Sequence, residues 1–306
     1  MSPALIHKEF NFVLQCIYNS LSAGVAYDAK HSLLKLNTID KKNMSLLSKL
    51  FRKKQTTSNQ DALAFLEIDM HNHLLPAIDD GSQSLEQSIL LIEGLQELGL
   101  HKFICTPHIM EGIYPNTKQT IEGAFKKLKS TLASRESKVQ LHYAAEHMID
   151  QGLDLLVAEN QLCVMPNDYV LIEMSYLAES KSLFRTIMDI QSMGYKPILA
   201  HPERYNYYHQ NFKIFKQIKD AGCALQLNLL SVSRYYGSNV KTTALTLIKS
   251  GLYDFVGTDI HHEKHLAAIK EVASKYPLAD LLKTCTIRNH ELLTSNNPSK
   301  EFIAVG

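Results

Sequence analysis

Apolar residues fall along this chain in two alternating rhythms. Short, almost unbroken runs occur seven times from about residue 62 onward, and between them apolar positions return every three or four residues. The first run leads into Asp69-Met70-His71-Asn72-His73. The next three are Phe103-Ile104-Cys105-Thr106-Pro107-His108, Leu141-His142-Tyr143-Ala144-Ala145-Glu146 and Tyr169-Val170-Leu171-Ile172-Glu173. The last three are Pro197-Ile198-Leu199-Ala200-His201, Ala224-Leu225-Gln226-Leu227-Asn228 and Asp254-Phe255-Val256-Gly257-Thr258-Asp259-Ile260-His261. Runs this short predict strands of a parallel sheet covered on both faces. In the connections, Leu85, Ile89, Ile92, Leu95 and Leu98 share one helical face ahead of Gly99, and Phe125, Leu128 and Leu132 do so in the next. Leu183, Ile187 and Ile190 precede Gly194; Phe212, Phe215 and Ile218 precede Gly222; Leu245 and Ile248 precede Gly251. A glycine just past the last periodic residue is a common helix stop. Seven strands alternating with helices predict an α/β fold, a (β/α)7 barrel rather than an open sheet.

The first run and five of the six later ones end in His, Glu or Asp. In βα barrels the side chains that do chemistry sit at the C-terminal ends of the strands, so this placement predicts an active site. His71 and His73 are two apart and point to the same side of a strand, where they can present two imidazoles to one ion. A lone His-x-His is a weak signal; its recurrence with polar strand ends elsewhere is what gives it weight.

Composition narrows the choice. Lys plus Arg (32) nearly balances Asp plus Glu (31), so no strong field favours nucleic acid or an anionic membrane. The five cysteines include no CxxC pair, and an odd number cannot all pair within the chain. Reduced thiols of a cytosolic enzyme are the expected state. No run of about 18 apolar residues is present. Met1 to Gly24 is interrupted by Lys8, Glu9 and Asn11 and lacks the layout of a secretion signal. Residues 62–306, about 245 in number, suffice for one barrel with a large core. Residues 1–61 carry no motif and read as a non-barrel extension, with a basic, polar linker at Lys49-Leu50-Phe51-Arg52-Lys53-Lys54 and the following Gln55–Asn59. Met44 is a plausible alternative start, and residues 1–43 are expected to be poorly ordered or outside the translated protein. The sharper alternative is a short amphipathic element that touches a membrane or a partner.

Taken together, His71-Asn72-His73, Ile78-Asp79-Asp80-Gly81, Thr106-Pro107-His108, Ala145-Glu146, Ile172-Glu173, Ala200-His201-Pro202-Glu203-Arg204-Tyr205 and Gly257-Thr258-Asp259-Ile260-His261 resemble the PHP (polymerase and histidinol phosphatase) superfamily. Within it they look most like the bacterial metal-dependent tyrosine-protein phosphatases of capsular and exopolysaccharide operons. The resemblance runs in order from about Ile68 to Leu266, one motif per strand. It implies a distorted seven-stranded barrel, in agreement with the strand count, and a trinuclear metal centre. One ion would take His71, His73, Glu146 and Asp259; a second Asp80, His108 and His261; a third Glu173 and His201, with Glu146 as the shared bridge. Asp79 and Asp80 are ambiguous by one residue, and the family pattern favours Asp80. Mixed nitrogen and oxygen ligation suits Mn²⁺, Fe or Zn²⁺; Mn²⁺ is favoured and Mg²⁺ is also compatible. Each imidazole should be held by a further acceptor that the sequence does not identify.

The activity implied is hydrolysis of phosphate monoesters, foremost protein phosphotyrosine, in the regulation of capsular or exopolysaccharide synthesis. Glu146, Asp259 and Arg204 are the implied catalytic residues. Arg204, three residues after His201, is placed to bind phosphate bidentately. Tyr205 beside it is a candidate substrate-binding residue; like Tyr207 and Tyr208, it either stacks on an aryl substrate or packs. The implied partner is the tyrosine-rich tail of a bacterial tyrosine kinase of polysaccharide export, and the implied location is the cytoplasm. Two other readings share the metal site: a small-molecule phosphomonoesterase of histidinol-phosphatase type, and a non-catalytic metal-binding scaffold of an export assembly.

One departure concerns the stretch after the last Asp-x-His. Relatives of this kind often carry an arginine there, whereas this chain reads His262-Glu263-Lys264-His265-Leu266. Lys264 or His265 replaces it, or both belong to the first turn of the next helix. That stretch is also not the His-Glu-x-x-His of zinc proteases, whose second His falls one residue later. His101, His142, His209 and His290 lie off the motif ends, and His147 points to the face of its strand opposite Glu146. Asn228 ends the sixth run and is a candidate hydrogen-bond partner for a ligand or water. None of Cys16, Cys105, Cys163, Cys223 or Cys285 is followed six residues on by the arginine of a cysteine-dependent tyrosine phosphatase, and no Gly-x4-Gly-Lys occurs.

Overall fold

The computed structural model describes residues 60–293 and the backbone of 303–304. The extension expected over residues 1–61, with its linker and alternative start, lies outside the described residues apart from Gln60 and Asp61. Two of the sequence runs are each split into a pair of strands: β1 (Lys102–Cys105) and β2 (His108–Ile109), then β3 (Gln140–Tyr143) and β4 (Glu146–Met148). They are followed by β5 (Tyr169–Glu173), β6 (Lys196–Ala200), β7 (Ala224–Asn228) and β8 (Phe255–Gly257). The order β2-β4-β5-β6-β7-β8 is parallel throughout, and β1 pairs parallel with β3. A strand with no counterpart in the sequence reading, β9 (Ile303–Ala304), adds antiparallel to β3.

The first run closes the curl. On one side Asp69 N donates to Lys102 O (3.0 Å) and Ile104 N to Asp69 O (2.9 Å). On the other, Asp259 N donates to His71 O (2.8 Å) and His73 N to Ile260 O (2.9 Å). Its pairing is a pair of isolated bridges, Asp69↔Phe103 and Asn72↔Ile260, rather than a regular ladder. The side chain of Asn72 explains this: its amide donates to Ile104 O (3.0 Å), and its backbone N–H goes to Thr106 Oγ1 (3.1 Å). At the other end Asn289 ties the segment to β8, donating to Ile68 O (3.0 Å) and Val256 O (2.8 Å) and accepting from Val256 N (3.0 Å).

The strands read as unbroken apolar runs because alternate residues enter two different cores. Ile104, Leu171, Ile198, Ala200, Ala224 and Phe255 join Ile68 and Met70 in one buried cluster, while their neighbours Phe103, Cys105, Val170, Ile172, Leu199, Leu225 and Val256 join the helices in the larger one. Helices α1 (Leu85–Gln96), α2 (Lys118–Ser134), α3 (Gln151–Ala158), α4 (Leu183–Ser192), α5 (Lys213–Asp220), α6 (Ser238–Lys249), α7 (Glu263–Lys275) and α8 (Leu278–Leu282) connect them. Ser84, Thr117 and Asp150 cap α1, α2 and α3 through side-chain oxygens, as short polar residues do at helix starts. Among the expected face residues Phe212 departs: it sits at the N-cap of α5 and is exposed. No described helix is long and apolar enough to cross a membrane.

Candidate active site

The C-terminal strand ends carry the polar residues to one mouth. Eight of the nine expected ligands fall into three groups, and within each group the ligating atoms lie within 4.8 Å of one another: His71, His73, Glu146 and Asp259; His73, Asp80, His108 and His261; and His108, Glu146 and Glu173. The first has the members of the first expected set, and the second adds His73 to the expected trio. The third differs from expectation, with His108 in the place given to His201. His201 instead sets Nε2 2.9 Å from Glu146 Oε1 and 4.0 Å from Glu173 Oε2. At the centre, Nε2 of His71 and of His73 lie 3.2 and 3.4 Å from Glu146 Oε2, and 3.4 and 3.3 Å from Asp259 Oδ1. Two of these residues, His201 (φ 33°) and Asp259 (φ 52°), have left-handed backbone conformations, unusual for residues bearing a Cβ.

The donor set fits divalent cations. His108 Nδ1, Glu146 Oε2 and Glu173 Oε1 are buried and face one another as ion pairs at 3.2 and 2.9 Å, yet among the described residues none has a partner with hydrogen-bond geometry. Buried polar atoms are normally paired, so three that converge without pairing suit a shared ion. The charges point the same way. Burial alone would lower the His71 pKa, but Glu146 and Asp259 more than offset it and the net direction is upward. Burial would raise Glu146 and Asp259, and the surrounding imidazoles hold both well below the usual carboxylate range. Cations bound among these carboxylates would offset their charge in the same way.

Acceptors behind the ligands fix their orientation. Asp79 Oδ2 accepts from His73 Nδ1 (2.7 Å) and from His108 N (3.1 Å), while Oδ1 accepts from Gly81 N (2.9 Å). Gly81 is required at this turn because a Cβ there would run into the His73 carbonyl and Cβ. Asp80 is half exposed and faces His108 Nε2 (3.5 Å) and His261 Nε2 (3.6 Å). The two neighbouring aspartates therefore divide the work: one orients His73 and the other faces the ion site. Gln226 Oε1 takes Nδ1 of His71 (3.0 Å), and Asn228 Nδ2 donates to Asp259 Oδ2 (2.7 Å) rather than standing free for a ligand.

Beside the groups opens a cleft of about 530 Å³. Arg204 lines it, with Nη1 2.8 Å from Asp259 Oδ2 and its guanidinium between the rings of Tyr176 (4.6 Å) and Tyr236 (4.2 Å). Such cation–π contacts orient the guanidinium plane as well as attract it. The role of Tyr205 needs correction. Its ring is fully buried, and its hydroxyl donates to Ala200 O (3.1 Å) and accepts from Met174 N (3.0 Å), so it packs beneath the site and cannot stack on a substrate. The aromatic residues that line the cleft are Tyr114, Tyr176 and Tyr236. Tyr114 and Tyr176 follow the ends of β2 and β5 within five residues, the signal that would have found them, whereas Tyr236 lies eight residues past β7. At the missing arginine, His265 lines the cleft while Lys264 is exposed and does not. Glu203, also unassigned from sequence, is buried and braces the floor by accepting from Asn228 N (3.0 Å) and Tyr253 Oη (2.8 Å). His147 packs as expected, with Nδ1 on Leu171 O (3.1 Å). Cys105, Cys163 and Cys223 are buried, and burial pushes the Cys163 thiol up to about 12.

A family model for capsular polysaccharide synthesis proteins, CpsB/CapC, matches residues 67–293. The tyrosine-protein phosphatase YwqE of Bacillus subtilis is 30% identical over 199 residues, 64% of this chain and 78% of that protein. The putative tyrosine-protein phosphatase CapC of Staphylococcus aureus is 27% identical over 195 residues, 63% of this chain and 76% of that protein. A chain from the crystal structures of YwqE from Bacillus subtilis and CpsB from Streptococcus pneumoniae, described as unique metal-dependent tyrosine phosphatases, aligns with a TM-score of 0.62 at 28% identity. That alignment spans 72% of this chain and 96% of the other.

Proposed function

The chain belongs to the CpsB/CapC family of capsular polysaccharide synthesis proteins, and from that premise we propose that it is a metal-dependent phosphatase acting on protein phosphotyrosine in capsular or exopolysaccharide synthesis. The observation that carries this reading is the convergence of four imidazoles and four carboxylates at the strand ends, with a guanidinium beside them at the cleft. We assign His71, His73, Asp80, His108, Glu146, Glu173, Asp259 and His261 as ligands, with His201 held against the Glu146 bridge. The set has room for up to three ions, Mn²⁺ first and Fe, Zn²⁺ or Mg²⁺ as alternatives. Bound divalent cations supply charge against the phosphate oxygens and acidify an attacking water.

The protein's own residues do the rest. Asp79 and Gln226 hold Nδ1 of His73 and His71, which leaves each Nε2 lone pair directed at the centre. Glu146 belongs to two of the three groups: its Oε2 faces His71, His73 and His108, and its Oε1 faces His201. Arg204 is anchored on Asp259 through one nitrogen, and its remaining donors are available for the substrate phosphate. A phenol leaves with a pKa near 10, lower than an alkyl alcohol, so a tyrosine ester needs less help at its leaving oxygen. The natural substrate would be a phosphotyrosine protein of the cytoplasm, foremost a tyrosine kinase of polysaccharide export. The test compares a phosphotyrosine peptide, a phosphoserine peptide and histidinol phosphate, with metal-loaded protein and a His71→Ala/His73→Ala variant. Turnover of the phosphotyrosine peptide alone, lost in the variant, supports the proposal. Preference for histidinol phosphate would keep the site and replace the substrate, and no turnover by fully metallated protein would leave a scaffold.

A further inference from the structure

Tyr235 and Tyr236 are consecutive, yet they line different clefts. Tyr236 covers Arg204 in the phosphatase cleft, while Tyr235 forms part of a second cavity of about 360 Å³ between the segment after β7 and helices α6 and α7. The two rings touch edge to face at 5.0 Å, and Tyr235 also meets His265, which lines the first cleft, at 5.3 Å. The clefts are thus separated by one layer of aromatic side chains. The second is lined by Arg234, Lys241 and Lys275 against a single carboxylate, Glu271. Glu271 is already paired with Lys275, its neighbour one turn along α7. Lys241 donates to Tyr276 Oη (3.0 Å) and lies over that ring, and no carboxylate pairs with it or with Arg234 among the described residues. A chain with nearly balanced total charge has here a concave, cation-rich site of small-ligand size.

We infer that this second cleft is an anion subsite of the same active face, taking a phosphate or carboxylate side chain on the peptide that presents its phosphotyrosine to the first cleft. The inference rests on the phosphatase reading above. Arg234 supplies a planar fork for phosphate, Lys241 and Lys275 supply point charges, and Tyr235 and Tyr276 give the walls an apolar face for an aromatic ring. Substrates with clustered phosphotyrosines or acidic neighbours would be held at both clefts.

The experiment uses the metal-loaded full chain and a peptide series in which a second phosphotyrosine, a glutamate or a glutamine is stepped through the positions flanking one phosphotyrosine. At the favoured position the second phosphotyrosine should lower KM about tenfold relative to glutamine, the low end for one charged hydrogen bond, and glutamate should fall between. Raising the salt should flatten the series. An Arg234→Ala/Lys241→Ala variant should flatten it too, with kcat for para-nitrophenyl phosphate unchanged. A flat series with the parent protein, or a preference that survives in the variant, overturns the subsite and leaves the phosphatase intact. Absence of turnover of every peptide overturns the phosphatase reading and this inference with it.

Discussion

Asp79→Asn replaces one oxygen by an amide nitrogen in a residue that never faces the proposed ions. In the parent, two carboxylate oxygens serve three donors: Oδ2 takes His73 Nδ1 and His108 N, and Oδ1 takes Gly81 N. An amide has one acceptor oxygen, so one side of this arrangement must fail. If the oxygen stays with His73, the NH2 faces Gly81 N–H, donor against donor, in the turn that carries Asp80. If it turns to Gly81, the NH2 faces His73 Nδ1, which must then accept, and the imidazole proton moves to Nε2, the atom that meets the ions. Either outcome misplaces a ligand while leaving all eight assigned ligand side chains in the sequence. Loss of an orienting acceptor behind a metal-bound histidine typically costs about 10- to 100-fold in metal affinity or activity, or about 1.4–2.7 kcal/mol. The assay is a chelator-competition titration with Mn²⁺ alongside kcat/KM on a phosphotyrosine peptide. Affinity and kcat/KM both within threefold of the parent would refute the assignment of Asp79 as the residue that orients His73.

Arg204→Lys keeps the charge but loses the fork and the fit between Tyr176 and Tyr236; kcat/KM on phosphotyrosine peptide should fall by about 10²-fold, from a charged contact of about 1.5–3 kcal/mol, with little change in thermal midpoint. Asn289→Ala leaves Val256 N, Val256 O and Ile68 O without their partner at the base of the barrel, and chemical denaturation should show a loss of about 2–4 kcal/mol with kcat nearly unaltered. Treatment with EDTA should abolish turnover and lower the melting temperature, because an ion at about 100 times its Kd adds about 2.7 kcal/mol to the folded state; Mn²⁺ should restore both, and a melting curve indifferent to chelator would contradict the proposed ligand set.

The strands β5 and β7 have the bounds read from the sequence because each is buried along its whole length and ends on a polar residue at the mouth, with Gln226 the one polar residue inside β7. The runs ending at His108 and Glu146 were legible as strands but not as broken ones. Their breaks fall at Thr106-Pro107 and Ala144-Ala145, where the chain passes from the β1-β3 pairing to the β2-β4 pairing. Most of the ligand side chains could be located because they sit at or just past strand ends; Asp80, in a turn, was legible only from the family pattern. Their grouping was not, because it depends on which ring nitrogen faces which oxygen: His108 turns Nδ1 toward Glu146 and Glu173 and Nε2 toward Asp80. The acceptors were hidden for a related reason. Gln226 serves His71 from 155 residues away and looks like any polar interruption of an apolar run. Between stacking and packing, the sequence does not decide for Tyr205, because adjacency to Arg204 in the chain says nothing of depth: the turn that lifts Arg204 into the cleft sends the next side chain into the core.

The left-handed backbones of His201 and Asp259 set the fold and the chemistry against each other. Each costs about 1–2 kcal/mol relative to an ordinary conformation, somewhat less for Asp and His than for other side chains. Glycine would relieve that cost at both positions. A glycine at either position would relieve this strain only by removing a group that touches Glu146 or Arg204, so the contacts of the site are what hold the backbone there. Strain of this kind marks a place where the chain keeps a costly shape for the sake of what the side chain touches, and it ties the geometry of the mouth to the integrity of both contacts.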